Sequence, residues 1–113
     1  MKKTVKLIAL MLVICMTSAF LLACVPSSVD AAKNKMINAG FTVDDSDNYL
    51  TDNEVGGISA YKGPLTNRIY FTAYLYETKE DAVNAANNAI TEWTVDGKWI
   101  YKGDAEAIEA FTK

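Results

Sequence analysis

One stretch limits the possible folds more than any other. From Arg68 to Glu77 the chain alternates residue by residue, with Ile69, Phe71, Ala73 and Leu75 on one side and Tyr70, Thr72, Tyr74 and Tyr76 on the other. A period of two is the signature of a β-strand, whose successive side chains leave opposite faces of a sheet. It is the clearest strand in the chain.

The flanking segments supply candidates. Ile58 to Lys62 alternates as a strand after the punctuation of Gly56-Gly57, and Lys98 to Lys102 follows the turn signal Asp96-Gly97. Phe41-Thr42-Val43 opens a short strand and Tyr49-Leu50-Thr51 a second piece, on either side of the turn-rich Asp44-Asp45-Ser46-Asp47-Asn48. Gly63 to Asn67 reads as a loop. Three helices are expected. One runs from a cap at Ser28 or Asp30 to about Ala39, with Val29, Ala32, Met36 and Ala39 on one face and Gly40 as its stop. The second follows the N-cap Thr78, with Asp81 three residues on, and carries Ala82, Val83, Ala86, Ala89, Ile90 and Trp93 on one side. The last follows Asp104, with Ala105, Ile108 and Phe111 in register. Strands in runs with helices at intervals favour an α+β fold: a mainly antiparallel sheet of about four strands with helices packed on one face. The expected inward set is Ile58, Ala60, Ile69, Phe71, Ala73, Leu75 and Ile100, met by Met36, Val83, Ala86, Ile90, Ile108 and Phe111 from the helices.

The N-terminus has a different character. Lys2, Lys3 and Lys6 give a positive start, and Leu7 to Leu22 is apolar apart from Thr17 and Ser18. That run is shorter than the ~20 residues that span a bilayer, and the charged, apolar, small order is that of a secretory signal. It ends Leu21-Leu22-Ala23-Cys24, which resembles the bacterial lipobox. The resemblance implies a diacylglyceryl thioether on Cys24 and cleavage after Ala23. Cys15 lacks the pattern because Ile14 precedes it. Two other readings stand beside this one: an uncleaved membrane helix, and ordinary cleavage near Val29-Asp30-Ala31. Two acyl chains hold a protein on a membrane where one binds only marginally. The organisation expected is a signal at 1–23, a lipidated cysteine and short tether at 24–29, and a single domain at 30–113.

Processing changes the charge. Removing residues 1–23 from the 113-residue chain leaves 90. All 14 acidic residues remain, but only 8 of the 11 basic ones, so the whole-chain charge of −3 becomes −6. An acidic domain lacks the basic stripe that nucleic acid requires. It also lacks a polybasic aid to lipid docking. No second cysteine remains for a disulfide, so the core alone must stabilise a small domain.

The chain contains no histidine. Together with the commitment of Cys24 to lipid, this removes Ser-His-Asp and Cys-His nucleophile systems and Cys/His zinc sites. There is no phosphate-binding glycine loop. The carboxylates Asp44, Asp45, Asp47, Asp52 and Glu54 crowd one segment and invite a calcium reading. The calcium-loop template fails in both frames: from Asp45, position 6 is Leu50, and from Asp44, position 12 is Val55. The competing reading is a solvated loop with Asx turns. Paired carboxylates could act on a glycan, but that chemistry needs a cleft to raise one pKa, and nothing in the sequence marks one. No catalytic residue, cofactor or metal is expected.

Tyr61, Tyr70, Tyr74, Tyr76, Trp99 and Tyr101 are more suggestive. Each is out of phase with the expected inward set, so neighbouring strands would gather them on one face. Aromatic groups with a polar tip are enriched at interfaces. Such a face either binds a glycan, peptide or envelope protein, or stiffens the sheet through cross-strand pairs.

From Asp30 onward the chain resembles small lipoproteins of uncharacterised function from Gram-positive and related bacteria. The resemblance rests on Lys35 to Val43, on Ala73-Tyr74-Leu75-Tyr76 followed by Thr78 to Ala82, on Gly97 to Tyr101, and on the acidic final helix. It implies a location on the outer side of the cell membrane and a compact shape, with no catalytic residue. The functions left open are a non-enzymatic binding or accessory domain, a structural envelope protein, and a small carboxylate-dependent hydrolase.

Overall fold

The computed structural model describes residues 25–46 and 53–113. The signal segment, Cys24, Asp47, Asp52 and the Tyr49-Leu50-Thr51 piece lie outside the described residues. The elements in chain order are α1 (Val29–Asn38), β1 (Thr42–Ser46), β2 (Glu54–Lys62), a 3-10 turn (Leu65–Asn67), β3 (Ile69–Tyr76), α2 (Lys79–Asn88), β4 (Thr94–Asp96), β5 (Trp99–Gly103) and α3 (Ala105–Thr112). The five strands form one sheet in the order β1-β2-β3-β5-β4, with every neighbouring pair antiparallel. β3 is the central strand of the five.

Local chemistry sets the helix ends. Ser28 caps α1, its Oγ accepting from the Ala31 amide at 3.1 Å. The helix closes through a paired turn: Gly40 N donates to Ile37 O at 2.9 Å and Phe41 N to Met36 O at 3.0 Å. Gly40 takes φ +94°, which a side chain would strain, and the turn delivers Phe41 into the core beside Met36. Thr78 caps α2 through the Asp81 amide, also at 3.1 Å. Asp104 occupies the cap position of α3 but is used differently. Its Oδ2 accepts from Tyr70 N at 2.8 Å while its own amide donates to Tyr70 O at 2.9 Å, which extends the β3–β5 pairing past the strand end.

The sheet is covered on both faces. On the first, α1 and α3 pack over Ile58, Ala60, Phe71, Ala73, Leu75, Trp99 and Tyr101. Phe111 stands at the centre, its ring 4.8 Å from Phe71, 5.1 Å from Trp99 and 5.3 Å from Tyr101. On the second face, α2 lays Ala82 and Ala85 over Tyr74, Tyr76 and Ile100, with Trp93 and Val95 at the side.

The α+β class holds, with five strands where about four were expected. The helices were expected on one face, but α2 takes the other. The reason lies in the register, which sets Ala73 opposite Tyr101 and Tyr74 opposite Ile100. Ile100 therefore leaves the expected inward set, and Trp99 and Tyr101 join it. Ile90 is also corrected. α2 ends at Asn88, Ala89 is extended, and Ile90 projects into solvent rather than continuing the helical stripe. The residues after it turn back to form β4.

The segment before α1 is part of the domain. Pro26 is buried, Val25 packs against the core, and the Trp99 indole donates to Pro26 O at 2.6 Å. Leaving that buried donor unpaired would cost about 1–3 kcal/mol, so the strap is firmly seated.

Candidate functional site

α2 covers only part of the second face. Its contacts fall on the Tyr74–Tyr76 end of β3 and on β4 and β5. Among the described residues, no helix covers the other end, toward the β2–β3 connection. The residues there follow from the register: Tyr61 lies opposite Tyr70, Ser59 opposite Thr72, and Thr72 in turn opposite Lys102.

Tyr70 is 55 % exposed, in a strand whose next residues are mostly buried. Tyr61 is half-buried, and the Arg68 guanidinium sits over its ring at 4.5 Å. Arg68 Nε also donates to Gly63 O at 3.2 Å, so the connecting loop aims the cation. At the border with α2, Lys102 Nζ lies 4.5 Å above the Trp93 ring and bonds Thr91 Oγ1 at 3.0 Å. Trp93 packs tilted against Tyr74 with ring centroids 5.5 Å apart, and the Tyr74 hydroxyl bonds Ser46 Oγ at 3.0 Å. The result is a shallow surface of aromatic rings, hydroxyls and two cations stacked on rings. Such a surface suits flat contact with a polar partner through stacking and hydrogen bonding.

The six aromatic residues singled out in the sequence are therefore divided. Tyr61 and Tyr70 share the open end of the second face. Tyr74 and Tyr76 lie on that face but are buried under α2. Trp99 and Tyr101 belong to the first face and its core. The strand Trp99–Gly103 sets large residues on both sides, and alternation alone does not say which side is inward. Arg68 and Lys102 were missed, although a cation next to alternating aromatics is a signal the sequence carries.

The Tyr101 phenol is electrostatically perturbed. Burial, reinforced by the negative charge of Asp96 and a 3.4 Å hydrogen bond to it, pushes its phenol up to about 12. On the surface, a side-chain bond to Asp45 pushes the Lys33 ammonium upward.

The acidic segment is only partly described. Asp44 and Asp45 are consecutive in β1 and so leave opposite faces, Asp44 beside Ser59 and Asp45 toward α1, where it pairs with Lys33. Glu54 opens β2. Among the described residues, no group of three or more carboxylate, thiol or imidazole side chains gathers where it could hold a metal ion. No helix among them is long and apolar enough to cross a membrane.

Two open grooves lie at the opposite end of the sheet from Tyr61 and Tyr70. One, of about 280 Å³, runs between the Val25–Ser27 strap and the β4–β5 turn at Asp96–Lys98. The other, of about 400 Å³, is bordered by Ser28, Val55, Tyr76 and Glu77. Ser27 and Lys98 line both, with Asp96 in the first and Asp30 in the second.

Compared with known protein families, curated proteins and solved structures, the chain matches none.

Proposed function

We propose that the protein is a lipid-anchored, non-enzymatic binding or accessory domain on the outer face of the cell membrane. Its anchor is the diacylglyceryl group on Cys24, and its recognition surface is the Tyr61, Arg68 and Tyr70 patch. The observation that carries the reading is the junction at Cys24. A segment that resembles a secretory signal with lipobox spacing ends there, and the next residue, Val25, is already packed against the core. Ordinary cleavage near Ala31 would remove Pro26 and the Ser28 cap, both of which the fold uses.

The recognition half of the reading rests on exposure. Tyr70 leaves an aromatic ring in solvent beside a cation held on a second ring, which offers a partner a stacking surface with a polar edge. The partner suited to it is a glycan or peptide of the envelope, bound by ring stacking and by hydrogen bonds from Ser59, Thr72 and Arg68.

The test uses the full chain expressed in a bacterium with a lipoprotein pathway. Intact mass of the membrane fraction should show a chain beginning at Cys24 with diacylglyceryl, and Cys24→Ala should move the protein out of that fraction. A soluble wild-type chain beginning after residue 28 would overturn the reading. For recognition, Tyr61→Ala with Tyr70→Ala should lose retention on cell-wall fragments or crosslinked envelope proteins without loss of fold. Turnover of such fragments that disappears on removing a single carboxylate would overturn the non-enzymatic assignment.

A further inference from the structure

The lipoprotein reading assumes a short tether between anchor and domain, and the structure bears on its slack. Val25 packs against the first core, Pro26 is buried and bonded to Trp99, and α1 starts at Val29. A chain of four residues, if undocked, could reach about 14 Å; docked, only the single Cα–Cα step of ~3.8 Å separates Cys24 from the packed domain. We infer that the anchored protein sits on the bilayer in one orientation, with the sheet end formed by Val25, Val55 and Lys98 against the lipid headgroups and the Tyr61–Tyr70 patch raised away from them. This inference rests on the lipid anchor proposed above.

Chain connectivity selects the bilayer as the occupant of this end. The strap meets the sheet where β5 begins and β3 ends, since Trp99 pairs with Leu75. The start of β2 is at the same end, where Glu54 pairs with Tyr76. Val55 is 57 % exposed there, and Lys98 occupies the exposed β4–β5 turn. Charge does not make the choice, because Asp30 and Glu77 border the same groove as Lys98. The attachment point makes it: the lipid is on the residue bonded to Val25, so the end where Val25 packs lies within one residue and a thioglyceryl arm of the membrane interface.

The other end is correspondingly distant. Tyr70 precedes Leu75 by five strand positions, about 17 Å at ~3.3 Å per residue. The Leu65–Asn67 turn lies beyond it, with Leu65 79 % exposed. The open part of the second face is thus held clear of the headgroup layer, where a partner in the envelope can reach it.

The experiment places one fluorophore on the processed, lipidated chain, at Val55→Cys or at Leu65→Cys. The carrier is a phosphatidylglycerol and phosphatidylethanolamine vesicle containing a headgroup-nitroxide lipid. Quenching should be several-fold stronger at position 55 than at 65. A four-residue Gly-Ser insertion between Cys24 and Val25 leaves the Pro26–Trp99 bond in place but adds slack, and should bring the two signals together. Trp99→Phe should do the same by releasing the strap. Equal quenching at both sites of a membrane-bound, lipidated chain would overturn the fixed orientation while leaving the anchor standing. Unequal quenching that the insertion does not change would overturn the role of the strap. A soluble chain with unmodified Cys24 would overturn the anchor, and the orientation with it.

Discussion

The two faces of the sheet use the same strands to different ends. The first joins α1 and α3 in a cluster of twelve buried residues, closed around Phe111. The second joins α2 in a cluster of five, where the helix contributes only alanines and covers one end only. In a small domain without a disulfide, stability must come mainly from the first face. The second is then under less constraint, and its uncovered end can present Tyr61, Arg68 and Tyr70 to a partner. On the proposed function, stability and recognition would lie on opposite faces of one sheet.

The sharpest way to break this comparison is at Phe111. Phe111→Ala should cost about 3–5 kcal/mol, because it empties a site surrounded by Phe71, Trp99 and Tyr101. That loss is comparable with the ~5–10 kcal/mol total stability of a domain this size. Urea denaturation should find the variant largely unfolded or close to it. A loss below about 1 kcal/mol would mean the first face is not the stabilising one.

A smaller effect is expected where the second face approaches the backbone. Gly57 lies under the Tyr74 ring, and a Cβ there would collide with Tyr74 Cδ1 and meet Ala73 O at 2.8 Å. The ring can shift but the carbonyl cannot move without disturbing the β2–β3 ladder. Gly57→Ala should therefore cost about 1–3 kcal/mol by the same denaturation measurement. Gly56→Ala serves as the comparison, since its Cβ meets only a Val29 methyl at 3.2 Å.

These positions show what was legible in the sequence and what was not. The β3 alternation was legible, and so were the caps at Ser28 and Thr78 and the stop at Gly40, because each depends on neighbours within a few residues. The face taken by Trp99, Ile100 and Tyr101 was not, because it depends on pairing with β3, more than twenty residues away in sequence. Gly56-Gly57 read as punctuation, yet both lie inside β2, where Tyr74 fills the space that Gly57 leaves. The end of α2 was missed for a related reason: a helical stripe drawn through Ile90 and Trp93 ignores the return of the chain into β4. The aromatic patch was legible as composition but only a third of it, Tyr61 and Tyr70, as a surface, because burial of the other four is a tertiary outcome.

A subtler test distinguishes the faces by pH. Tyr101 is held neutral in the folded first core, with its phenol pushed up to about 12 against an ordinary value of 10.0. Its contribution to stability is complete below pH 10, where both folded and unfolded forms keep the proton. As pH rises from 10 toward 12 the unfolded chain releases that proton and the folded chain retains it. Stability should then fall by up to about 1.4 kcal/mol per pH unit from this group alone. Tyr101→Phe should show a shallower alkaline slope than the parent chain. Equal slopes would mean that solvent reaches the phenol and that the first face is less closed than its packing indicates.

The smallest effect on stability is expected at the recognition patch, and there the smallness is itself informative. Tyr70 exposes more than half of its surface, and its strand is held by backbone pairing and by Asp104 on the Tyr70 amide, none of which needs the ring. Tyr70→Ala should change stability by less than about 0.5 kcal/mol, the range of ordinary surface substitutions. Tyr61→Ala should cost somewhat more, because its ring is half-buried and carries Arg68. If Tyr70→Ala instead destabilised as strongly as Gly57→Ala, the open end would be a structural part of the second core. A neutral Tyr70→Ala that also loses retention on envelope fragments would separate the two faces completely: the fold would reside on one, and recognition on the uncovered end of the other.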